Sequence, residues 1–315
     1  MNSQLQTPVV FIVFNRPSLT RRVFSRIAQA RPSRLLVIAD GPRRDRPGES
    51  EKCEEARLIA TSVDWPCQVE VEFSSENMGC RDRIVRGLNW AFERVEEAII
   101  LEDDVLPDPS FFPFCEQMLG RYRGDARVSM IAGFNIVQEH LKTDYSYFFS
   151  QLTHIWGWAT WRQSWARYDQ HLNDWPEIKS SGLLREIFDR PGVVAYWTKI
   201  FDSMHDGSGL NTWDYQWMYT NLMHNALSVV PHVNLVENLG FGPDATHTIT
   251  ASDVCKLTAQ SIKFPLLHPP SLVPLRQMDR VDAKLSGSCI PTLPERAVRR
   301  FKHLWTKALE IGVER

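Results

Sequence analysis

The residues best suited to chemistry in this chain are three consecutive carboxylates, Glu102, Asp103 and Asp104. They follow the apolar run Ala98-Ile99-Ile100-Leu101 and precede Val105-Leu106-Pro107, so they stand where a short buried strand leaves the core. Neighbouring carboxylates repel, and a chain that sets three together either leaves them solvated or gives them a cation to share. A hard divalent ion held by one or two carboxylates keeps positions open for phosphate oxygens, which is one way to hold a nucleotide diphosphate. A solvated acidic turn is the plainer alternative; the position at a strand end, ahead of an aromatic helix, argues against it. Asn15-Arg16, Asp40-Gly41 and Asn77-Met78-Gly79 are three further polar motifs that each follow a strand-like run. Asp214 opens a helical pattern within Asn211-Thr212-Trp213-Asp214-Tyr215-Gln216-Trp217, where its ordinary role would be N-cap.

The elements that must position these groups alternate. Val9 to Phe14 is a continuous apolar run, suited to a strand buried on both faces. Asn15-Arg16-Pro17-Ser18 turns the chain, with Ser18 as expected N-cap of a helix carrying Leu19, Val23 and Ile27. Leu35 to Ala39 repeats the strand pattern, and an amphipathic helix through Leu58, Ile59 and Val63 follows the basic loop Arg43 to Gly48. Val69, Val71 and Phe73 alternate with polar residues, as in a strand with one wetter face, and Ile84, Leu88, Ala91 and Val95 lie on one helical stripe. Strands separated by helices predict a doubly wound sheet, whose ligands bind outside the carboxyl ends of the strands. All four polar motifs fall at such ends.

The second half changes character. Phe111, Phe114, Met118 and Tyr122 predict a helix, and Val128 to Ala132, Tyr145 to Phe149 and Ser228 to Val230 predict strands. Most of the eleven tryptophans lie between Trp156 and Trp217. Trp161, Trp165 and Tyr168 share a helical face and read as core, whereas Trp156 and Trp158 flank Gly157 in an expected loop and suit an exposed platform for a sugar ring. Pro231 to Thr248 reads as a long polar loop, Phe264 to Leu293 as a Pro-rich, non-periodic wrap, and Val298, Phe301, Trp305 and Ala308 as one stripe of a basic amphipathic helix. Such a helix docks on its own domain or lies on an anionic membrane.

Composition narrows the classes. A net charge of −2 gives no electrostatic case for nucleic acid. The six cysteines show no CxxC pair, which favours reduced thiols over a zinc knuckle or disulfide framework. The start of the chain lacks a basic-then-apolar leader and no apolar run reaches about 18 residues, so a cytoplasmic protein is expected, with possible peripheral contact at the inner membrane. Neither a G-x-x-x-x-G-K-[ST] loop nor a strand-borne G-x-G-x-x-G is present, against a P-loop NTPase or a dinucleotide enzyme.

Taken together, Phe14-Asn15-Arg16-Pro17, Asp40, Glu76-Asn77-Met78-Gly79 with Arg81 and Arg83, Leu101 to Val105 with Pro109-Ser110-Phe111-Phe112 behind, and Gly157-Trp158 resemble the GT-A glycosyltransferases. The likeness is to bacterial family 2-like members and, more distantly, to the Golgi N-acetylglucosaminyltransferase, and it covers residues ~7 to ~250. It implies an α/β fold of the GT-A type, Rossmann-like, with a mostly parallel central sheet flanked by helices. Residues 1–106 would bind the nucleotide sugar, 107–255 would bind the acceptor and carry catalysis, and 256–315 would form the wrap and basic helix.

The implied enzyme passes a hexosyl or N-acetylhexosaminyl group from a nucleotide-diphosphate sugar, first a UDP-sugar, to a hydroxyl of a glycan or glycolipid, with Mn2+ or Mg2+ and inversion at the anomeric carbon. Asp104 would ligate the metal, Glu102 and Asp103 would face ribose, sugar or metal-bound water, and Asp40 would hold the base. Phe14, Asn15, Arg16, Asn77, Gly79 and Arg83 would lie near the nucleotide. Asp214 would be the general base, with Asp169 and Asp174 in reserve. His247 would complete the metal shell, His232 being the weaker choice, and Trp156, Gly157 and Trp158 would meet the acceptor. The competing classes are a non-catalytic glycan-binding or membrane-associated protein and a sugar-1-phosphate nucleotidyltransferase; the latter needs a Gly-rich loop where this chain has Asn15-Arg16-Pro17.

Overall fold

The computed structural model describes residues 4–240 and 257–290. The first half alternates as expected: β1 (Val9–Val13), α1 (Pro17–Ala30), β2 (Arg34–Ala39), α2 (Glu49–Thr61), β3 (Gln68–Phe73), α3 (Cys80–Phe92) and β4 (Glu97–Glu102). Then come β5 (Val105–Pro107), α4 (Phe111–Tyr122), β6 (Val128–Ala132), β7 (Tyr147–Ser150) and β8 (Trp158–Trp161). Five helices, α5 (Arg162–Trp165), α6 (Trp175–Ser181), α7 (Leu184–Ile187), α8 (Pro191–His205) and α9 (Asp214–Met223), lead to β9 (Leu227–Pro231), β10 (Val236–Asn238) and α10 (Arg276–Leu285).

The fold is mixed α/β, with helices flanking a sheet of order β3-β2-β1-β4-β8-β6-β9-β7. The pairs among β3, β2, β1 and β4 are parallel, as is β6 with β9, while β8 and β7 run against their neighbours. β1 is buried along its whole length, as a continuous apolar run between two layers of helices must be. β3 lies at the edge, so its alternation leaves Val71 47% and Phe73 36% exposed. Register places the chemistry: Val9 pairs with Ile99 and Ile12 with Glu102, so the residues just past β1 arrive beside Asp103 and Asp104. β5 pairs antiparallel with β10, Val105 opposite Asn238, which lays residues 238–240 over the same corner.

The main core draws on both halves, from Val10 and Leu101 to Trp158 and Trp217. A second core, built on Trp175, Trp197, Phe201 and Tyr219, lies within the helices between β8 and β9. Two expectations are corrected. α1 begins at Pro17 with Arg16 in the cap position and no side-chain cap bond, because proline at the first helical position supplies the required φ without Ser18. The stretch from Phe264 onward is not extended throughout. It contains α10, whose buried Met278, Asp282 and Ala283 give a face too short for its periodicity to emerge between prolines. The wrap before it is fastened by Ser146 N–H to Leu267 O at 2.8 Å and Leu275 N–H to Phe149 O at 2.9 Å. The basic segment from Arg296 lies outside the described residues. Among the described residues no helix is long and apolar enough to cross a membrane.

Candidate active site

The acidic corner is built by β1 and β4 ending side by side. Phe14 N–H donates to Asp103 Oδ2 at 3.1 Å, and Arg16 donates to Asp104 Oδ2 at 2.6 Å with Asp103 Oδ1 3.6 Å away. Burial pushes Glu102 up to about 8, with Asp104, Asp103 and Asp214 adding to it. Burial and the neighbouring Asp104 push Asp103 up to about 7 against the pull of Arg16. For Arg16 burial opposes the charge, but Asp103, Asp104 and Glu102 outweigh it and raise its pKa. From β10, Leu239 N–H reaches Asp104 O at 2.7 Å, and Gly240 abuts the Asp104 carboxylate, where any Cβ would collide with it.

Next to this corner, Asp40 organises the loop after β3. Its carboxylate accepts from Gly41 N at 2.9 Å, Met78 N at 2.9 Å, Gly79 N at 3.1 Å and Asn77 Nδ2 at 3.0 Å. Burial raises its pKa and those N–H bonds lower it in part. With its oxygens taken, Asp40 shapes the pocket through the loop, which corrects the expected direct role on a base. Gly79 has φ +81°, and an added Cβ would stand 2.8 Å from the Asn211 side chain. Arg83 is also corrected: it is buried beneath the loop and paired with Glu72, not turned toward a nucleotide, and burial holds it down at about 10.

Sequence reasoning missed Arg43 and Glu49. Asn15 Nδ2 donates to Glu49 Oε1 at 2.8 Å, and Arg43, paired with Glu49, lies over the Phe14 ring at 5.5 Å. The available signal was an acid inside a basic loop, weak without knowing that α2 returns it to the end of β1.

Asp214 is brought to the corner from the other half. It is the first residue of α9 and makes no cap bond, Trp213 occupying the cap position, so the N-cap role is corrected. Thr212 Oγ1 hydrogen-bonds Asp214, and Asp214 is near enough to raise Glu102. Cys80, at the start of α3, feels burial first and then Glu102, Asp214, Asp104 and Asp40, which push it up to about 12 and mark it as the point these carboxylates surround. Asn211 Oδ1 accepts from Arg81 N at 3.1 Å and ties the approach to α9 to α3.

The aromatic platform differs from expectation. Trp158 lies inside β8, 1% exposed, and stacks on Trp213 with ring centroids 5.4 Å apart, because β8 is clamped between β4 and β6. It presents no face to a sugar. Gly157 is buried with φ +60°, and only Trp156 is partly exposed, meeting Phe134 edge-on at 4.6 Å. His232 is corrected as a ligand: Nδ1 donates to Ser146 O at 2.9 Å. Asp169 accepts from His171 N and Asn173 N, and Asp174 from Tyr219 OH. These two acids line a concavity of about 340 Å³ with Arg167 and His224, and no residue of the acidic corner lines it. His247 lies outside the described residues.

Among the described residues no three acidic, histidine or cysteine side chains converge as a closed metal cage. The donor set still suits a hard divalent ion held open. Its donors are carboxylate oxygens, and the raised Glu102 and Asp103 show more negative charge than Arg16 balances.

No protein-family model matches the chain, and no curated protein does. Solved structures similar to it include a mannosyltransferase from Pyrobaculum calidifontis in complex with GDP-Man and Mn2+, at 13% identity and a TM-score of 0.35. That match covers 51% of this chain and 46% of the other, so the chain spans less than half of that structure.

Proposed function

We propose that the protein is a metal-dependent, inverting glycosyltransferase of the GT-A type. It moves a hexosyl or N-acetylhexosaminyl group from a nucleotide-diphosphate sugar, first a UDP-sugar, to a hydroxyl of a glycan or glycolipid. One juxtaposition carries the reading: Glu102, Asp103 and Asp104 at the shared end of β1 and β4, with Asp214 delivered beside them by α9. Phe14, Asn15, Arg16 and Arg43 bind the nucleotide, and the Asn77 to Gly79 loop walls it. Asp104 holds Mn2+ or Mg2+, with Asp103 and Glu102 facing the ribose and sugar. A bound divalent ion would neutralise charge developing on the leaving diphosphate. The acceptor oxygen bonds to the anomeric carbon from the face opposite the diphosphate, whose bond breaks, while Asp214 takes the hydroxyl proton. Trp156 supports the acceptor. Work on the cytoplasmic side, with membrane contact through the basic segment after residue 290, belongs to the same proposal.

The test is nucleoside diphosphate release from a panel of UDP- and GDP-sugars, with and without Mn2+ or Mg2+. Release should require the ion and fall by about 10²- to 10³-fold in Asp104→Asn. Asp214→Asn should retain nucleotide binding and lose transfer by about 10²- to 10⁴-fold. Release from no donor, or release unchanged in Asp104→Asn, contradicts the reading.

A further inference from the structure

We infer that His154 and Asp282 form a positioning pair through which the C-terminal helix α10 sets Trp156, and with it the acceptor wall; the acceptor part rests on the function proposed above. His154 Nε2 donates to Asp282 Oδ2 at 2.6 Å across 128 residues of chain, the two side chains being 17% and 9% exposed. One turn earlier on the same helix face, Asp279 accepts from Ser150 Oγ at 2.6 Å and Gln151 N at 3.3 Å. Leu275 N–H, just before α10, bonds Phe149 O at 2.9 Å. The segment 149–154, which leads from β7 toward Trp156, is thus gripped at successive points by one short helix and its approach.

On its other side the His154 ring meets Phe134 edge-on at 5.4 Å, and Phe134 meets Trp156 at 4.6 Å. A direct path of packed rings therefore joins Asp282 to Trp156. Burying an ion pair is a poor way to hold a helix down, since apolar residues of similar volume do as well or better. What the pair adds is orientation, because it fixes which face of α10 meets the β7–β8 connection and the tilt of the imidazole against Phe134. The groups facing His154 are Asp282 and Asp279 from α10 and the Phe134 ring from the β6–β7 connection. Burial lowers the His154 pKa, but the Asp282 charge and hydrogen bond outweigh it and raise it above 6.5, so the protonated, paired form persists near neutrality. The pair weakens as pH rises through that raised value.

Two readouts on the full chain test this. In the first, the protein is labelled with 5-fluorotryptophan and its ¹⁹F spectrum followed against pH, the Trp156 resonance being assigned with Trp156→Phe. That resonance should titrate with pH in the wild type, and the titration should vanish in both His154→Gln and Asp282→Asn. A Trp156 resonance that ignores pH, or that titrates unchanged in both variants, overturns the pair, whatever the enzyme's activity. In the second, transfer to a panel of p-nitrophenyl glycosides should show acceptor KM raised about tenfold in His154→Gln, with kcat within about twofold and the double variant no worse than either single. A parallel fall in kcat at unchanged KM overturns the acceptor role. If the wild type releases nucleotide from no donor, the proposed function fails and the pair is judged on the ¹⁹F titration.

Discussion

At the scale of single residues, Arg16 and Glu49 carry separable loads. Arg16 is the guanidinium set against Asp103 and Asp104, in a partly buried corner where an unanswered charge is expensive. Arg16→Ala should therefore cost about 1–3 kcal/mol in chemical denaturation. Added Mn2+ should restore more stability to this variant than it gives the wild type, because the ion meets carboxylates no longer occupied. Glu49 is held down at about 2, first by its hydrogen bond to Arg43 and then by Arg43 N–H and Asn15. A depressed carboxylate stabilises the fold fully above its usual 4.5 and loses that contribution as pH falls toward about 2. Urea midpoints recorded from pH 6 down to 2 should show this acid limb in the wild type and a shallower one in Glu49→Gln. The Glu49 role was not legible in the sequence, since it depends on α2 folding back to Asn15, a contact 34 residues apart.

At the scale of elements, the loop between β3 and α3 depends on one carboxylate from the end of β2. Asp40→Ala strands the N–H groups of Gly41, Met78 and Gly79 that now donate to it, and should cost about 2–4 kcal/mol while weakening nucleotide binding. Calorimetric unfolding and UDP titration check both. β1 to β4 and the helices between them were readable because each is local: a run of apolar residues for a buried strand, a 3.6-residue stripe for a helix. β8 was not, since Trp158-Ala159-Thr160-Trp161 becomes a strand only by pairing with β4 on one side and β6 on the other. That long-range demand turned an expected exposed tryptophan into a core one. α10 was hidden for the same reason, its short buried face having meaning only against β7 and His154.

At the scale of the molecule, one sheet runs from the nucleotide side to the acceptor side, and the carboxyl ends of β1, β2 and β4 meet the start of α9 at a single acidic corner. The strand-end placement of Asn15-Arg16, Asp40 and Glu102 to Asp104 was legible from pattern alone, because a parallel sheet collects such ends on one edge. Which of those groups face inward was not, as Arg83 and Asp40 demonstrate by spending their charge on Glu72 and on loop N–H groups. The most direct measurement is the paramagnetic resonance signal of free Mn2+ titrated with protein in the presence of UDP. The wild type should deplete the free signal and Asp104→Asn should leave it nearly unchanged; equal depletion by both, or none by the wild type, would contradict an acidic corner that grips an ion and its diphosphate.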